Sequence, residues 1–257
     1  MNRLVEIFKY RELLKNLVVT ELKLRYRRSV LGFFWTMLNP LLMMTVLAVV
    51  FSTIMKFNIK SYSVLLISGL LPWIFFSQAV SLALMSVVSK GSLLKKVYIP
   101  KSLIPLSAVL SSLVNFLLAL VPLFLLVVLL GKPLTPALLF LPASILFVAL
   151  FTCGVAFIFS CLNVFFRDFT HMTEVIIQAW FYLSPVIYRT DMVPETYRFA
   201  FNWNPMAHII ECFRIPIFDG RLPDLTAVVI AGTSALAMFM FGFSIFLRFE
   251  GRFILRV

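Results

Sequence analysis

Few side chains in this sequence are placed to do covalent chemistry. The nine glycines are scattered, and none forms the GxxxxGK[ST] loop whose backbone cradles nucleotide phosphates. HExxH, GxSxG and carboxylate pairs at acid–base spacing are missing too, so ATP hydrolysis by this chain alone is excluded. Cys153, Cys161 and Cys212 form no CxxC pair and read as small buried hydrophobes. His171 and His208 are too isolated to build a metal site. What remains are rings and clustered cations. Phe, Tyr and Trp number 28, 7 and 4, concentrated in Phe33-Phe34-Trp35, in Trp73 to Phe76 and in Trp180-Phe181-Tyr182. Such rings either form lipid-facing bulk and interfacial belts or stack on sugar faces through C–H contacts, and the sequence leaves both readings open.

The elements that must position these residues follow from composition. Of 257 residues, 61% are hydrophobic and 13% charged, and the mean hydropathy is +1.01. Soluble domains run at about 45–50% apolar and about 25% charged, so the solvent of this chain is a bilayer. A helix crosses the hydrocarbon core with about 20 apolar residues. Stretches 31–55, 63–88, 103–130, 137–162 and 226–247 meet that length, and 172–188, which carries Glu174 and Gln178, is a shorter sixth or else a re-entrant segment. Prolines 40, 72, 122, 142 and 185 fall inside spans, where membrane helices tolerate kinks. Ionisable groups are nearly absent from the spans, which disfavours a proton- or ion-coupled carrier. The expected fold is an all-α membrane protein with six transmembrane helices, an N-terminal amphipathic interface helix and short re-entrant external helices between spans five and six. It forms one domain over 1–257, divided into the interface helix (1–28), a six-span region (31–247) and a tail (248–257).

Charge sets the expected orientation. The chain holds 23 Lys and Arg against 11 Asp and Glu, a net +12. Arg3, Lys9, Arg11, Lys15, Lys23, Arg25, Arg27 and Arg28 precede the first span, and Lys90, Lys95, Lys96 and Lys101 join the second to the third with no acid among them. Arg248, Arg252 and Arg256 follow the last span, whereas positive residues in the opposite loops are offset by Asp191, Glu195, Glu211, Asp219 and Asp224. The positive-inside rule therefore puts both termini in the cytoplasm. Charges interrupt the first 30 residues throughout, so no cleavable signal peptide is expected. Leu4, Val5, Phe8, Leu13, Leu14, Leu17, Val18, Leu22 and Leu24 recur among those charges as an interfacial helix requires. The connection from Thr190 to Leu225 is too long for a simple loop. Its apolar groups 197–203 and 206–218, broken at Asn204-Pro205 and at Pro216, predict two short helices dipping back into the outer leaflet.

Particular strings sharpen this. Glu21 to Trp35, read as ELKLRYRRSVLGFFW, with Leu38-Asn-Pro-Leu-Leu42, resembles the start of the first span in polysaccharide-exporting ABC-2 permeases. Tyr98-Ile-Pro-Lys101 with Pro105, Phe166-Arg-Asp168, Ser184-Pro-Val-Ile-Tyr188, Val193-Pro-Glu195, Asn204-Pro-Met-Ala207 and Phe213-Arg214 are similar to the same family, in the same order. The resemblance covers nearly the whole chain. It implies the permease subunit of an O-antigen, capsule or teichoic-acid exporter, closest to the O-antigen type, in the bacterial inner membrane. A homodimer bound to two ATPase subunits would pass polyprenyl-diphosphate-linked polysaccharide outward. ATP and Mg would belong to the partner ATPase, and this chain would carry no cofactor. The alternative is an ABC-2 permease for a small amphiphilic or drug-like substrate.

The resemblance also suggests roles. Leu93, Leu94, Lys95, Lys96, Val97 and Tyr98 would form a coupling helix for a groove in the ATPase. Arg25, Arg27 and Arg28 stand where a lipid diphosphate would come in from the inner leaflet, and guanidinium forks grip phosphate oxygens bidentately. Generic attraction to anionic lipids, about 1 kcal/mol per basic residue, is the plainer reading of the same charges. Phe33, Phe34, Trp35, Trp180, Phe181 and Tyr182 would line a channel between protomers built from the first and fifth spans, with Tyr197 and Trp203 at the external gate.

Overall fold

The computed structural model describes residues 9–26, 34–35, 38, 41–42, 45–46, 59–96, 99–190 and 194–256. Every regular element among them is helical. The first, α1 (Arg11–Tyr26), turns Leu13, Leu14, Leu17, Val18 and Leu22 toward the bundle and leaves Lys15, Asn16 and Lys23 exposed. This is the one-sided pattern of an interface helix. Glu12 in its first turn and Lys23 and Arg25 in its last oppose the ends of the helix dipole.

Next come α2 (Ile59–Ser89), the short α3 (Gly91–Lys96) and α4 (Leu103–Leu129). A 3₁₀ turn at Pro136–Phe140 leads into α5 (Leu141–Phe165), which is followed by α6 (Phe169–Tyr182). Then come α7 (Glu195–Asn202), α8 (Pro205–Phe218), α9 (Leu225–Phe249) and a last 3₁₀ turn, Glu250–Leu255. Helix α2 is the hub: α4, α5 and α8 pack around it, and 83% of its apolar window is buried. At the rim, only 22% of the corresponding window of α9 is buried, so most of that helix faces outward from the bundle.

Among the described residues four helices are long and apolar enough to cross a membrane: Tyr62–Ser89, Leu103–Leu129, Pro136–Phe165 and Leu225–Phe253. They coincide with four of the expected spans. The first expected span lies mostly outside the described residues, although Phe34, Trp35, Leu38, Leu41, Leu42, Thr45 and Val46 are helical. The 172–188 stretch differs from expectation. Its helix, α6, has 14 residues, roughly 21 Å at 1.5 Å per residue, against a hydrocarbon core of about 30 Å. From Leu183 onward the chain is irregular. Between α6 and α9 the two expected short helices are present and part at Asn204-Pro205, but Pro216 sits inside α8 without ending it. Helix α8 is embedded against α2, α5 and α9, with Met206, Ile209, Ile210, Cys212 and Phe213 fully buried.

Five buried serines inside the bundle are satisfied locally. Ser68, Ser86, Ser107, Ser111 and Ser160 donate to carbonyls three residues back in their own helices, so they cross an apolar region without a distant partner. Asn163 ties helices instead, its Nδ2 donating to Leu84 O of α2 at 3.0 Å while Thr170 Oγ1 donates to its Oδ1 at 2.9 Å. The closest backbone approach is between α5 and α9. A Cβ on Gly154 would stand 2.3 Å from Met238 O, and one on Gly242 would stand 2.1 Å from Gly154 O. Phe157 closes the seam against Phe243 and Phe246, with ring centroids 5.4 and 5.2 Å apart.

Gly242→Val should therefore force the two helices apart, an overpacking of about 1–3 kcal/mol or more. Gly232→Ala, where the nearest atom is Phe147 Cε1 at 3.4 Å, should be tolerated. Thermal unfolding followed by size exclusion in detergent is expected to show a lower midpoint for the first variant and an unchanged one for the second.

Candidate functional site

The two ends of α2 carry different polar assemblies. At its C-terminal end Lys90 forms an ion pair with Glu21 of α1, which fixes α1 to the start of the 90–101 loop. Helix α1 also packs along α4. The other end of that loop is held by Lys101, whose Nζ donates to Glu250 O at 2.5 Å. Both Glu250 and Phe253 are buried, so the last turn of the chain is docked beneath α3 rather than trailing free. Within α3, Leu94 turns into the core, while Leu93, Lys95 and Lys96 face outward. Of the expected coupling set, these three are thus on the surface and Leu94 anchors the helix. Val97 and Tyr98 lie outside the described residues. Arg25 is exposed at the end of α1, and Arg27 and Arg28 lie outside the described residues.

The opposite end of α2 is organised by Arg214 and Asn204. Arg214 projects from α8 and is only 4% exposed. Its Nη1 donates to Tyr188 O at 2.8 Å, and its Nη2 donates to Pro185 O and Val186 O, each at 2.6 Å. Three carbonyls of the irregular chain after α6 thus converge on one guanidinium. Tyr62 OH donates to Ile187 O at 3.1 Å and occupies the remaining position in the run. Gly69 of α2 makes room for this: a Cβ there would lie 2.1 Å from Arg214 Nη2 and 2.3 Å from Val186 O. Burial lowers the Arg214 pKa to about 10, with Glu211 nearby acting against that shift, so the guanidinium stays charged at neutral pH.

Asn204 joins the same region to α6. Its Oδ1 accepts from Met206 N and from Trp180 Nε1, both at 3.0 Å, the first being the side-chain cap that starts α8. Its Nδ2 donates to Leu183 O and Ser184 Oγ, both at 2.9 Å. The strings Ser184 to Tyr188, Asn204-Pro205 and Phe213-Arg214, distant in sequence, are therefore one hydrogen-bonded joint.

The expected channel rings divide between two environments. Trp180 points inward, with its centroid 5.2 Å from Phe76 and 5.9 Å from Phe151, and Phe181 packs 5.5 Å from Trp73. Tyr182 is 62% exposed and shares the outer face of α6 with His171, Glu174 and Gln178. Phe34 and Trp35 are exposed, as is Trp203 at the end of α7. Phe33 and the side chain of Tyr197 lie outside the described residues. Arg214 and Asn204 were legible only as members of short strings. The available signal was a lone Arg between Cys212-Phe213 and Ile215-Pro216, because a charge in so apolar a helix needs buried partners. Among the described residues no group of His, Cys, Asp and Glu could hold a metal ion.

Four helices long and apolar enough to cross a membrane, with α4, α5 and α8 packed around α2, make an all-helical membrane protein. The chain belongs to the ABC-2 type transporter family, which it matches over residues 12–218. It is 34% identical over 249 residues to the O-antigen export system permease protein RfbA of Myxococcus xanthus, a match covering 96% of each chain. The protein of the same name from Klebsiella pneumoniae is 33% identical over 236 residues, covering 91% of this chain and 90% of its own. A more distant relative is the polysialic acid transport protein KpsM of Escherichia coli, 24% identical over 81% of this chain and 82% of its own.

Arg214→Met should leave three carbonyls without their donor, and a lost buried partner costs about 1–3 kcal/mol per stranded group. Arg214→Lys should rescue only in part, since an ammonium cannot reproduce the planar fork. The yield of folded protein in membranes is expected to fall in the order wild type, Lys, Met, and equal yields would contradict the clamp.

Proposed function

We propose that this chain is the transmembrane subunit of an ATP-driven exporter of O-antigen-like polysaccharide. The observation that carries the reading is its similarity along almost its full length to O-antigen export permeases. On this reading the chain forms one membrane domain of six spans, with the first span and the 172–188 segment completing the set. It works in the bacterial inner membrane with both termini in the cytoplasm, as a homodimer with two ATPase subunits that bind ATP and Mg. The substrate is a polyprenyl-diphosphate-linked glycan. Arg25, Arg27 and Arg28 receive the diphosphate from the inner leaflet.

Leu93, Lys95, Lys96, Val97 and Tyr98 meet the ATPase, with Leu94 holding α3 in place from within. Phe33, Phe34, Trp35 and Tyr182 face the glycan between protomers, with Trp180 and Phe181 supporting that wall from behind. Tyr197 and Trp203 stand at the external gate. What supports this division is the exposure of Leu93, Lys95, Tyr182 and Trp203 alongside the burial of Leu94.

Deleting the gene should abolish surface polysaccharide on gels and leave lipid-linked polymer inside the cell, and a plasmid copy should restore export. Polysaccharide still reaching the surface of the deletion strain would refute the reading. In the restored strain, Leu93→Asp with Tyr98→Ser should cut export and ATPase stimulation at least tenfold with protein levels unchanged. Arg27→Ala with Arg28→Ala should reduce export by a similar factor without loss of ATPase binding.

A further inference from the structure

Beside the Arg214 joint, at the end of the bundle away from α1, lies a cleft of about 250 Å³. Its walls come from the chain just after Tyr188, the second half of α8 and the turn into α9. Three guanidiniums, of Arg189, Arg214 and Arg221, alternate there with three carboxylates, of Glu211, Asp219 and Asp224. Asp219 is the most engaged: Arg189 Nη1 approaches its Oδ1 at 3.3 Å and Arg221 Nε its Oδ2 at 3.9 Å. The Glu211 carboxylate accepts from the Thr190 hydroxyl. Two groups are left over. Arg214 Nε is buried with no hydrogen-bond partner, and Asp224, at the N-cap of α9, makes no side-chain capping bond.

The cleft is charge-balanced, so its net charge favours neither a phosphate nor a metal cation. It offers fixed donors next to fixed acceptors. Arg supplies only donors and an ionised carboxylate only acceptors, while each hydroxyl of a polyol can do both. Vicinal hydroxyls bridging an Arg and a carboxylate satisfy both walls at once. The volume lies below the about 300–1,000 Å³ of pockets for drug-sized ligands, which suits one sugar ring and not a longer stretch of chain.

We propose that this cleft is a binding subsite for a single neutral glycosyl unit, with Asp224, Arg221 and Glu211 meeting its hydroxyls. The inference rests on the polysaccharide-export reading and deepens it, giving the polymer a docking point at the external end that the aromatic rings do not supply.

The test uses the full chain in lipid nanodiscs with four probes, D-mannose, D-galactose, L-rhamnose and N-acetyl-D-glucosamine, read by saturation-transfer NMR. At least one probe should show transfer to its ring protons, and Asp224→Asn and Arg221→Gln should each lower it at least threefold. Both positions are exposed, so thermal midpoints should stay unchanged. Glu211→Gln, at a half-buried position, should act in the same direction and gives a third variant should one of the others fail to fold. Absence of transfer from all four sugars, or equal transfer in the variants, overturns the subsite. Displacement of the sugar by inorganic phosphate overturns it in favour of an anion site. Loss of the subsite with surface polysaccharide still dependent on the gene leaves the export function standing. Sugar binding in a protein whose deletion spares surface polysaccharide refutes the export function instead.

Discussion

An apolar surrounding accepts an irregular backbone only if protein groups satisfy its carbonyls, and much of this architecture follows from meeting that condition after α6. The helix stops at Tyr182, while Val186 lies fully buried beside Gly69 of the hub helix. The three carbonyls that converge there have no helical donor of their own. Arg214 supplies donors for all of them, which requires a planar fork, a missing Cβ at position 69 and a helix, α8, pushed deep enough to deliver it. Asn204 fixes where that helix begins. Loss of any one of these would leave the others without a purpose.

Helix α2 connects this joint to the other end of the molecule. With 31 residues it is roughly 46 Å long at 1.5 Å per residue. Its first turns hold Tyr62 against Ile187, and just past its last turn Lys90 holds Glu21. The start of the 90–101 loop and the Arg214 joint are thus tied to opposite ends of one helix. The seam between α5 and α9 is the rigid counterpart, because a glycine-to-glycine contact leaves no side chain to slide or rotate. Displacement is therefore easier for α6, whose outer face is unburied, than for that pair.

Much of the fold was legible in the sequence because long apolar runs partition into a bilayer whatever their neighbours are. Four such runs became helices within a few residues of the expected limits, and Leu13, Leu14, Leu17, Val18 and Leu22 recurring among charges marked the inner face of α1. Hydropathy records partition and not partners, and there the reading of the sequence fell short. In the 172–188 stretch, read as a span or a re-entrant segment, the regular helix ends at Tyr182 ahead of Ser184-Pro185, and Arg214 holds the carbonyls beyond it. Ring direction was equally hidden: Trp180 and Tyr182 are two positions apart, and only packing against Phe76 and Phe151 turns the first inward. Leu93 and Leu94 are indistinguishable by type, and the short α3 decides between them.

The clamp also bears on how the protein is made. A ribosome delivers α6 well before it delivers residue 214, and α6 is short and carries His171, Glu174 and Gln178. Until α8 follows, this segment has neither the length to stay in the bilayer alone nor a donor for the carbonyls behind it. Its placement must wait for later sequence, with α2 already present to supply Gly69 and Tyr62. Biosynthesis thus has a fixed order, because the carbonyls after α6 find their donor only once α8 has been made.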